Sequence, residues 1–270
     1  MMLTALVPSE LLVATISEIR DAFQQRLLTH LYRGAESSSL VLKGGAAMRV
    51  LTESARYTQD LDFDHDPHRS LASLQKTIRS GIERALQASG LVQTSVSESK
   101  QTDTVARWKI SGRTISGEDL HLTVEVSRRR APDLGHVLKI PIQVADRTLP
   151  RVYVSVYDEQ ALTDNKVAAL IDERRTAPRD VYDLELLLAR GFCPSAPAVQ
   201  QSGGQTALTQ RVSEKLDLMS WALFRDQVLP ALPREIQANL DEEEYLAMKI
   251  RLLESLERCL AKHVGGEAQP

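Results

Sequence analysis

Apolar residues recur at three- and four-residue spacings over 10–32, placing Leu11, Leu12, Ile16, Ile19, Phe23, Leu27, Leu28 and Leu31 on one side of a helix that Ser9 would cap. The next apolar run, Leu40-Val41-Leu42, is short and gives way to Gly44-Gly45 before Ala46 to Leu51, which predicts a strand, a tight turn and a helix. At 60–64 the order Asp-Leu-Asp-Phe-Asp alternates with the period of a strand, so Asp60, Asp62 and Asp64 share one face and Leu61 and Phe63 the other. A helix over 70–88 and strands near 91–97, 104–111, 119–127, 137–144 and 151–156 complete a mixed first part. Beyond Tyr157 the period lengthens: 158–173, 180–190, 205–229 and 241–263 read as helices and no convincing strand remains. The stretch CPSAPAVQQSGGQ at 193–205 has loop composition and is expected to be mobile. The pattern thus predicts an α+β protein with a mixed-sheet domain at 1–157 and a helical C-terminal domain at 158–270.

Composition narrows the partners more than the fold. No segment is apolar for long enough to span a bilayer, and the start MMLTALVPSELL lacks the basic residues and long apolar core of a secretory signal. With only Cys193 and Cys259 as cysteines, the expected location is reducing and cytoplasmic. Aromatic residues make up 4% of the chain, too few for a nucleic-acid surface built on base stacking. The net charge of −3 gives no whole-protein attraction to phosphate. Local clusters such as Arg128-Arg129-Arg130 and Arg174-Arg175 would have to supply it.

The chemistry concentrates around the alternating acidic strand. Two carboxylates separated by one residue on a strand project side by side, close enough to share a hard cation. Asp60 and Asp62 have that spacing, although Asp-x-Asp by itself is more often surface charge. Fifteen residues upstream, Lys43-Gly44-Gly45 allows a sharp turn and a close backbone approach to an anion, with the free amides of the next helix behind it. Such a Gly-Gly turn alone is usually punctuation. Together, the two features join a phosphate site to a metal site. Thr58, two residues before Asp60, points to the same face if the strand begins there. In His-Leu-Thr-Val-Glu-Val-Ser, Glu125 lies on a strand's polar face and is a candidate third carboxylate, with a solvated glutamate as the equal alternative. Lys166 stands four residues from both Leu162 and Leu170, so its ammonium must reach a polar cavity or snorkel to water. Asp180 follows Pro178 at an expected helix start, where a carboxylate is favoured by the helix dipole alone.

Over about residues 40–190 these features together resemble the AbiEii/AbiGii family of nucleotidyltransferases, the toxin arm of type IV toxin–antitoxin and abortive-infection systems. Leu-Lys-Gly-Gly at 42–45 resembles the family's glycine motif and Thr58-Gln59-Asp60-Leu61-Asp62-Phe63 its acidic strand. Thr123-Val124-Glu125-Val126-Ser127, Lys166-Val167-Ala168-Ala169-Leu170 and Arg179-Asp180-Val181-Tyr182-Asp183-Leu184 resemble its later segments. The resemblance implies a polymerase β-like nucleotidyltransferase fold with a helical C-terminal part. It also implies dependence on Mg²⁺, or Mn²⁺, and a nucleoside triphosphate donor. Asp60 and Asp62 would hold metal with Glu125 as the further candidate ligand, Lys166 would contact the triphosphate, and Asp180 would complete the catalytic set. Lys43, Gly44, Gly45 and Thr58 would line the phosphate site.

The expected acceptor is RNA, a transfer RNA 3′ end in particular, met by Arg128, Arg129 and Arg130. A cognate antitoxin is an expected partner and a membrane is not. Competing readings are a nucleotide- or antitoxin-binding module without turnover, transfer to a protein hydroxyl, and a metal-dependent hydrolase using His65-Asp66-Pro67-His68. The last lacks an obvious third ligand.

Overall fold

The computed structural model describes residues 14–34, 36–142 and 149–265; Ser9, Leu11, Leu12 and residues 143–144 of the expected sixth strand lie outside these. The first helix, α1 (Ile16–Leu31), begins at Thr15. The Thr15 hydroxyl accepts from the Glu18 amide while the Glu18 carboxylate accepts from the Thr15 amide, a capping box that satisfies two helix-end donors. There follow β1 (Leu40–Lys43), α2 (Gly44–Thr52), β2 (Asp60–His65), α3 (Leu71–Gln87) and β3 (Val92–Gln101). β4 (Val105–Arg113), β5 (Asp119–Ser127), β6 (Val137–Ile142) and β7 (Val152–Tyr157) complete one sheet of order β3-β4-β5-β2-β1-β7-β6.

β2 lies at the centre, antiparallel to β1 and parallel to β5, so the sheet is mixed. Its alternation works as the sequence predicts. Leu61 and Phe63 are wholly buried and share a core with Phe23, Leu27 and Leu31 of α1 and Leu74 and Ile78 of α3. Asp60, Asp62 and Asp64 face the other way. His65 falls on the apolar side, fully buried, with Nε2 3.3 Å from Glu36. It therefore points away from the carboxylates, and the hydrolase reading loses its first ligand.

The helical part comprises α4 (Glu159–Leu170), α5 (Pro178–Ala189), α6 (Ala196–Gln201), α7 (Gln205–Leu218), α8 (Trp221–Gln227), α9 (Arg234–Gln237) and α10 (Glu242–Gly265). Its own core gathers Leu184, Leu208, Val212, Phe224, Leu252 and Leu256. α4 and α5 serve both cores: Leu162 and Leu187 belong to the first, Val167 and Leu184 to the second.

Three expectations change here. The helix expected over 205–229 is two helices, because Met219 is extended and Ser220 caps a new start by accepting from the Leu223 amide. The break lets Phe224 turn into the core, 4.4 Å from the Tyr245 ring centroid. The stretch 193–205 is not a free loop: α6 forms within it, and the Asp164 carboxylate accepts from the Ser195 amide at 2.8 Å and hydroxyl at 2.6 Å. Cys193 is disulfide-bonded to Cys259 of α10, so the cysteine count no longer argues for a reducing location.

That disulfide closes a loop with a sequence separation of 66 residues within the helical part. Closing a loop of this length is worth on the order of 4 kcal/mol through the entropy of the unfolded chain. A thiol reductant, or Cys193→Ser with Cys259→Ser, is expected to lower the thermal midpoint of the oxidised protein by several degrees. Midpoints that coincide with and without reductant would show that the bridge contributes nothing.

Candidate active site

A cleft of about 390 Å³ opens where the acidic face of β2 meets α4 and α5. The sheet half contributes Lys43, Gly44, Gly45, Arg56, Thr58, Asp60 and Asp62; the helical half contributes Asn165, Lys166, Arg175, Arg179 and Asp180. The candidate residues from the sequence thus converge on one cavity, apart from Glu125.

Close approach explains both glycines. Gly44 has a φ of +66°, and a Cβ there would lie 3.0 Å from the Asp62 Oδ2. A Cβ on Gly45 would stand 2.9 Å from the Arg56 Nη2 and 3.1 Å from the Thr58 Oγ1. The start of α2 is therefore pressed against the Asp-x-Asp strand, and its N-cap, Lys43, makes no side-chain capping bond. The first amides of α2 remain available to an anion.

Each carboxylate of the strand has a different environment. Asp64 is already neutralised: Lys43 Nζ lies 2.5 Å from its Oδ1, and the Tyr157 hydroxyl donates to Oδ2 at 2.9 Å. Lys43 lines the cleft but its ammonium is committed to Asp64. Asp62 has no such partner. Burial, then the charges of Asp60 and Glu125, push its carboxyl up to about 6, with Lys43 and Arg179 offsetting part of the effect. Glu125 stands beside Asp62 in the β2–β5 register but is held by Arg107, whose Nε lies 2.7 Å from Oε2, and it does not line the cleft. Among the described residues no three acidic, histidine or cysteine side chains form a ready-made metal cage. The uncompensated pair Asp60 and Asp62 instead suits a cation that takes its remaining ligands from phosphate and water.

The helical wall is built around a charge network that sequence reasoning missed. Asp183 is fully buried and receives Arg56 twice, at 2.9 and 2.7 Å, with Lys166 Nζ at 2.6 Å. Burial pushes its carboxyl up, but Lys166 and Arg56 outweigh that and hold it well below the usual carboxylate range. Lys166 also donates to Asp180 at 2.9 Å, and Asp180 accepts from Arg175 at 3.0 Å. Two of the three ammonium protons are thereby committed, and the third remains for a ligand in the cleft. Asp180 is not a helix cap: the N-cap is Ala177, and the Asp180 side chain is buried in ion pairs. A signal did exist, since Asp183 sits among the buried Val181, Leu184 and Leu187 as Lys166 sits between Leu162 and Leu170. Opposite charges on two apolar stripes are natural partners. Arg175 is visible in the sequence only as half of a basic pair, and Arg179 only as the first residue of the Arg179–Leu184 segment.

Arg128, expected to meet RNA, is buried and donates to the backbone oxygens of Asp103 and Pro67, at 3.2 and 2.9 Å, and to that of Arg69. It is a structural rivet. β5 ends at Ser127, so strand alternation does not carry Arg129 to the acidic face.

The family model for the nucleotidyl transferase AbiEii toxin of type IV toxin–antitoxin systems matches residues 26–262. The chain belongs to the AbiEii family. It is a nucleotidyltransferase of the toxin type, with an α+β nucleotidyltransferase fold and a helical C-terminal part. Among solved structures, JHP933 of Helicobacter pylori is similar with a TM-score of 0.63 and 20% identity, over 95% of this chain and 98% of that one. A nucleotidyltransferase described as putative, also from H. pylori, aligns with a TM-score of 0.60 and 20% identity, over 93% and 97% of the two chains. MenT4, a nucleotidyltransferase toxin of Mycobacterium tuberculosis, aligns with a TM-score of 0.50 and 18% identity, over 89% and 82%. No curated protein matches the sequence. Among the described residues no helix is long and apolar enough to cross a membrane.

The raised pKa of Asp62 has a thermodynamic sign. Its folded value, about 6, exceeds the ordinary 3.8, so ionised Asp62 destabilises the metal-free protein above pH 6, and the penalty fades as pH falls towards 4. Asp62→Asn is therefore expected to stabilise metal-free protein at pH 8, by on the order of 2 kcal/mol after discounting for partial exposure, with a gain that shrinks towards pH 4. Added Mg²⁺ should stabilise the wild type and not the variant. Melting curves showing Asp62→Asn no more stable than wild type at pH 8 would contradict this electrostatic account.

Proposed function

We propose that this AbiEii-family enzyme transfers a nucleoside monophosphate from a nucleoside triphosphate to the 3′ hydroxyl of RNA, a transfer RNA acceptor end in particular. Growth inhibition, restrained by a cognate antitoxin, follows from loss of functional RNA ends. One observation carries the reading: Asp60 and Asp62, which form no ion pair among the described residues, face the same cleft as the Gly44-Gly45 turn, the start of α2 without a side-chain cap, Lys166, Arg175 and Arg179. A polyphosphate needs such an arrangement of backbone amides and cations, and two carboxylates beside it suit a phosphate-bridging metal.

In the proposed reaction the acceptor oxygen bonds to the α-phosphorus, the bridge to the β-phosphate breaks, and pyrophosphate leaves. Mg²⁺ or Mn²⁺ on Asp60 and Asp62 would neutralise charge on the reacting phosphate and acidify the acceptor hydroxyl. The Gly44 and Gly45 amides, with Thr58 beside them, hold the donor phosphates. Lys166 and Arg179 balance the charge of the departing pyrophosphate, and Asp180 keeps Lys166 in place. Glu125, level with Asp62 on the neighbouring strand and now paired with Arg107, would take the hydroxyl proton on leaving that pair.

Incubation with each α-labelled nucleoside triphosphate, Mg²⁺ and total RNA is expected to put label on RNA. Asp60→Asn is expected to reduce transfer to background while leaving the circular dichroism spectrum unchanged. Label on protein instead of RNA, or bound nucleotide without transfer in the wild type, would overturn the proposed acceptor or the proposed turnover respectively.

A further inference from the structure

We infer that the open polar face of β3, β4 and β5 is the acceptor track, along which a single-stranded nucleic acid approaches the carboxylates. The inference rests on the proposed transfer reaction and adds the place where its acceptor lies. Direction comes from the strand order. β2 carries Asp60 and Asp62, and the phosphate cradle lies on its β1 side, at the turn into α2. In an in-line displacement the nucleophile enters opposite the leaving group, so the hydroxyl must come from the β5 side.

What lies there is continuous and polar. Register places Thr123 beside Asp60, Lys109 beside Thr123 and Ser97 beside Lys109, a row that crosses four strands. The next row runs from Asp62 through Glu125 and Arg107 to Lys100. A groove of about 410 Å³ follows this face and has Asp60 in its wall, the residue it shares with the cleft that holds Asp62. Strands are spaced roughly 4.8 Å apart, which puts Lys109 about 10 Å from the Asp60 strand, within reach of the phosphates just behind a reacting terminus.

Charge picks the occupant. Arg107 is tied to Glu125 and Arg113 to Asp119, whereas the Lys100 and Lys109 ammonium groups have no carboxylate or other partner among the described residues. Lys109, in the groove among serine, threonine and histidine side chains, and Lys100, in the neighbouring row opposite Arg107, suit a phosphodiester backbone, whose phosphates and hydroxyls they can contact without reading sequence. The groove has no Phe, Tyr or Trp in its wall and a single imidazole, His121, so a run of stacked bases is not its mode of binding.

The test measures binding of a fluorescein-labelled oligoribonucleotide in metal-free buffer, and of a non-hydrolysable nucleoside triphosphate separately with Mg²⁺. For Lys100→Ala with Lys109→Ala, oligonucleotide affinity is expected to fall at least tenfold at low salt. The slope of log affinity against log salt is expected to become shallower by about 1.4, from roughly 0.7 per lost phosphate contact on a single strand. Nucleotide affinity should be unchanged, and Arg129→Ala with Arg130→Ala should leave both affinities intact. Unaltered oligonucleotide binding in the lysine variant, or its loss in the arginine variant instead, would overturn the acceptor track. Failure of the transfer reading is distinguishable: the lysine-dependent binding would persist while wild-type enzyme labels no RNA. Labelling of a protein that depends on Lys109 would put a polypeptide on this face and also overturn the inference.

Discussion

A single buried carboxylate, Asp183, joins the two halves of this enzyme. It sits between Arg56 from the segment leading into the acidic strand and Lys166 from the first helix of the C-terminal part. Removing one partner of a buried ion pair costs roughly 3–5 kcal/mol, because the remaining charge is stranded. The geometry is therefore self-enforcing: Arg56 and Lys166 must both be near Asp183, and that requirement brings α4 and α5 over the glycine turn. Two lesser contacts act in the same direction. The Tyr57 amide donates to the Ala231 carbonyl at 2.7 Å, and α4 and α5 put apolar side chains into both cores.

The opposite electrostatic logic governs the sheet side. Around Asp183 the charges are paired directly, whereas among the described residues Asp60 and Asp62 form no ion pair and feel Arg20, Lys43 and Arg179 only at a distance, while Asp64, two residues on, is satisfied by Lys43 and Tyr157. The contrast along one strand separates a structural carboxylate from a functional pair. It also explains why the glycine turn must press so closely on Asp62. A side chain at Gly44 would occupy the space between the α2 amides and the carboxylate, where phosphate and cation have to meet.

Much of this was legible in the sequence, and the parts that were not have physical reasons. Strict period-two alternation at 60–64 identified the central strand and its acidic face, because a strand buried on one side leaves no other register. The 119–127 strand was bounded correctly for the same reason. The helix break at Met219-Ser220 was hidden because Ser220 fits a helical pattern as well as it caps one. Loop composition at 193–205 concealed α6, whose cap Ser195 is held by Asp164 of α4, and the Cys193 disulfide, whose partner lies 66 residues away on α10. At the site, local motifs exposed Lys43, Gly44, Gly45, Thr58, Asp60, Asp62, Lys166 and Asp180 as candidates that share one cleft. Arg56 escaped because its meaning lies in a contact 127 residues away, and Asp183, though on an apolar stripe and inside a quoted segment, carried no local sign of that partner. Arg128 misled for the same reason: nothing local distinguishes an arginine that binds backbone carbonyls from one that binds RNA.

The nucleotide site belongs to both halves jointly, and Asp183 aligns them. Affinity of the Asp183→Asn variant for a non-hydrolysable nucleoside triphosphate, measured with Mg²⁺ well below its own thermal midpoint, tests this directly. A loss of at least tenfold is expected, since Lys166 and Arg56 lose their common anchor while Asp60, Asp62 and the glycine turn remain. Affinity equal to that of the wild type would contradict it and leave the sheet half as the whole of the site.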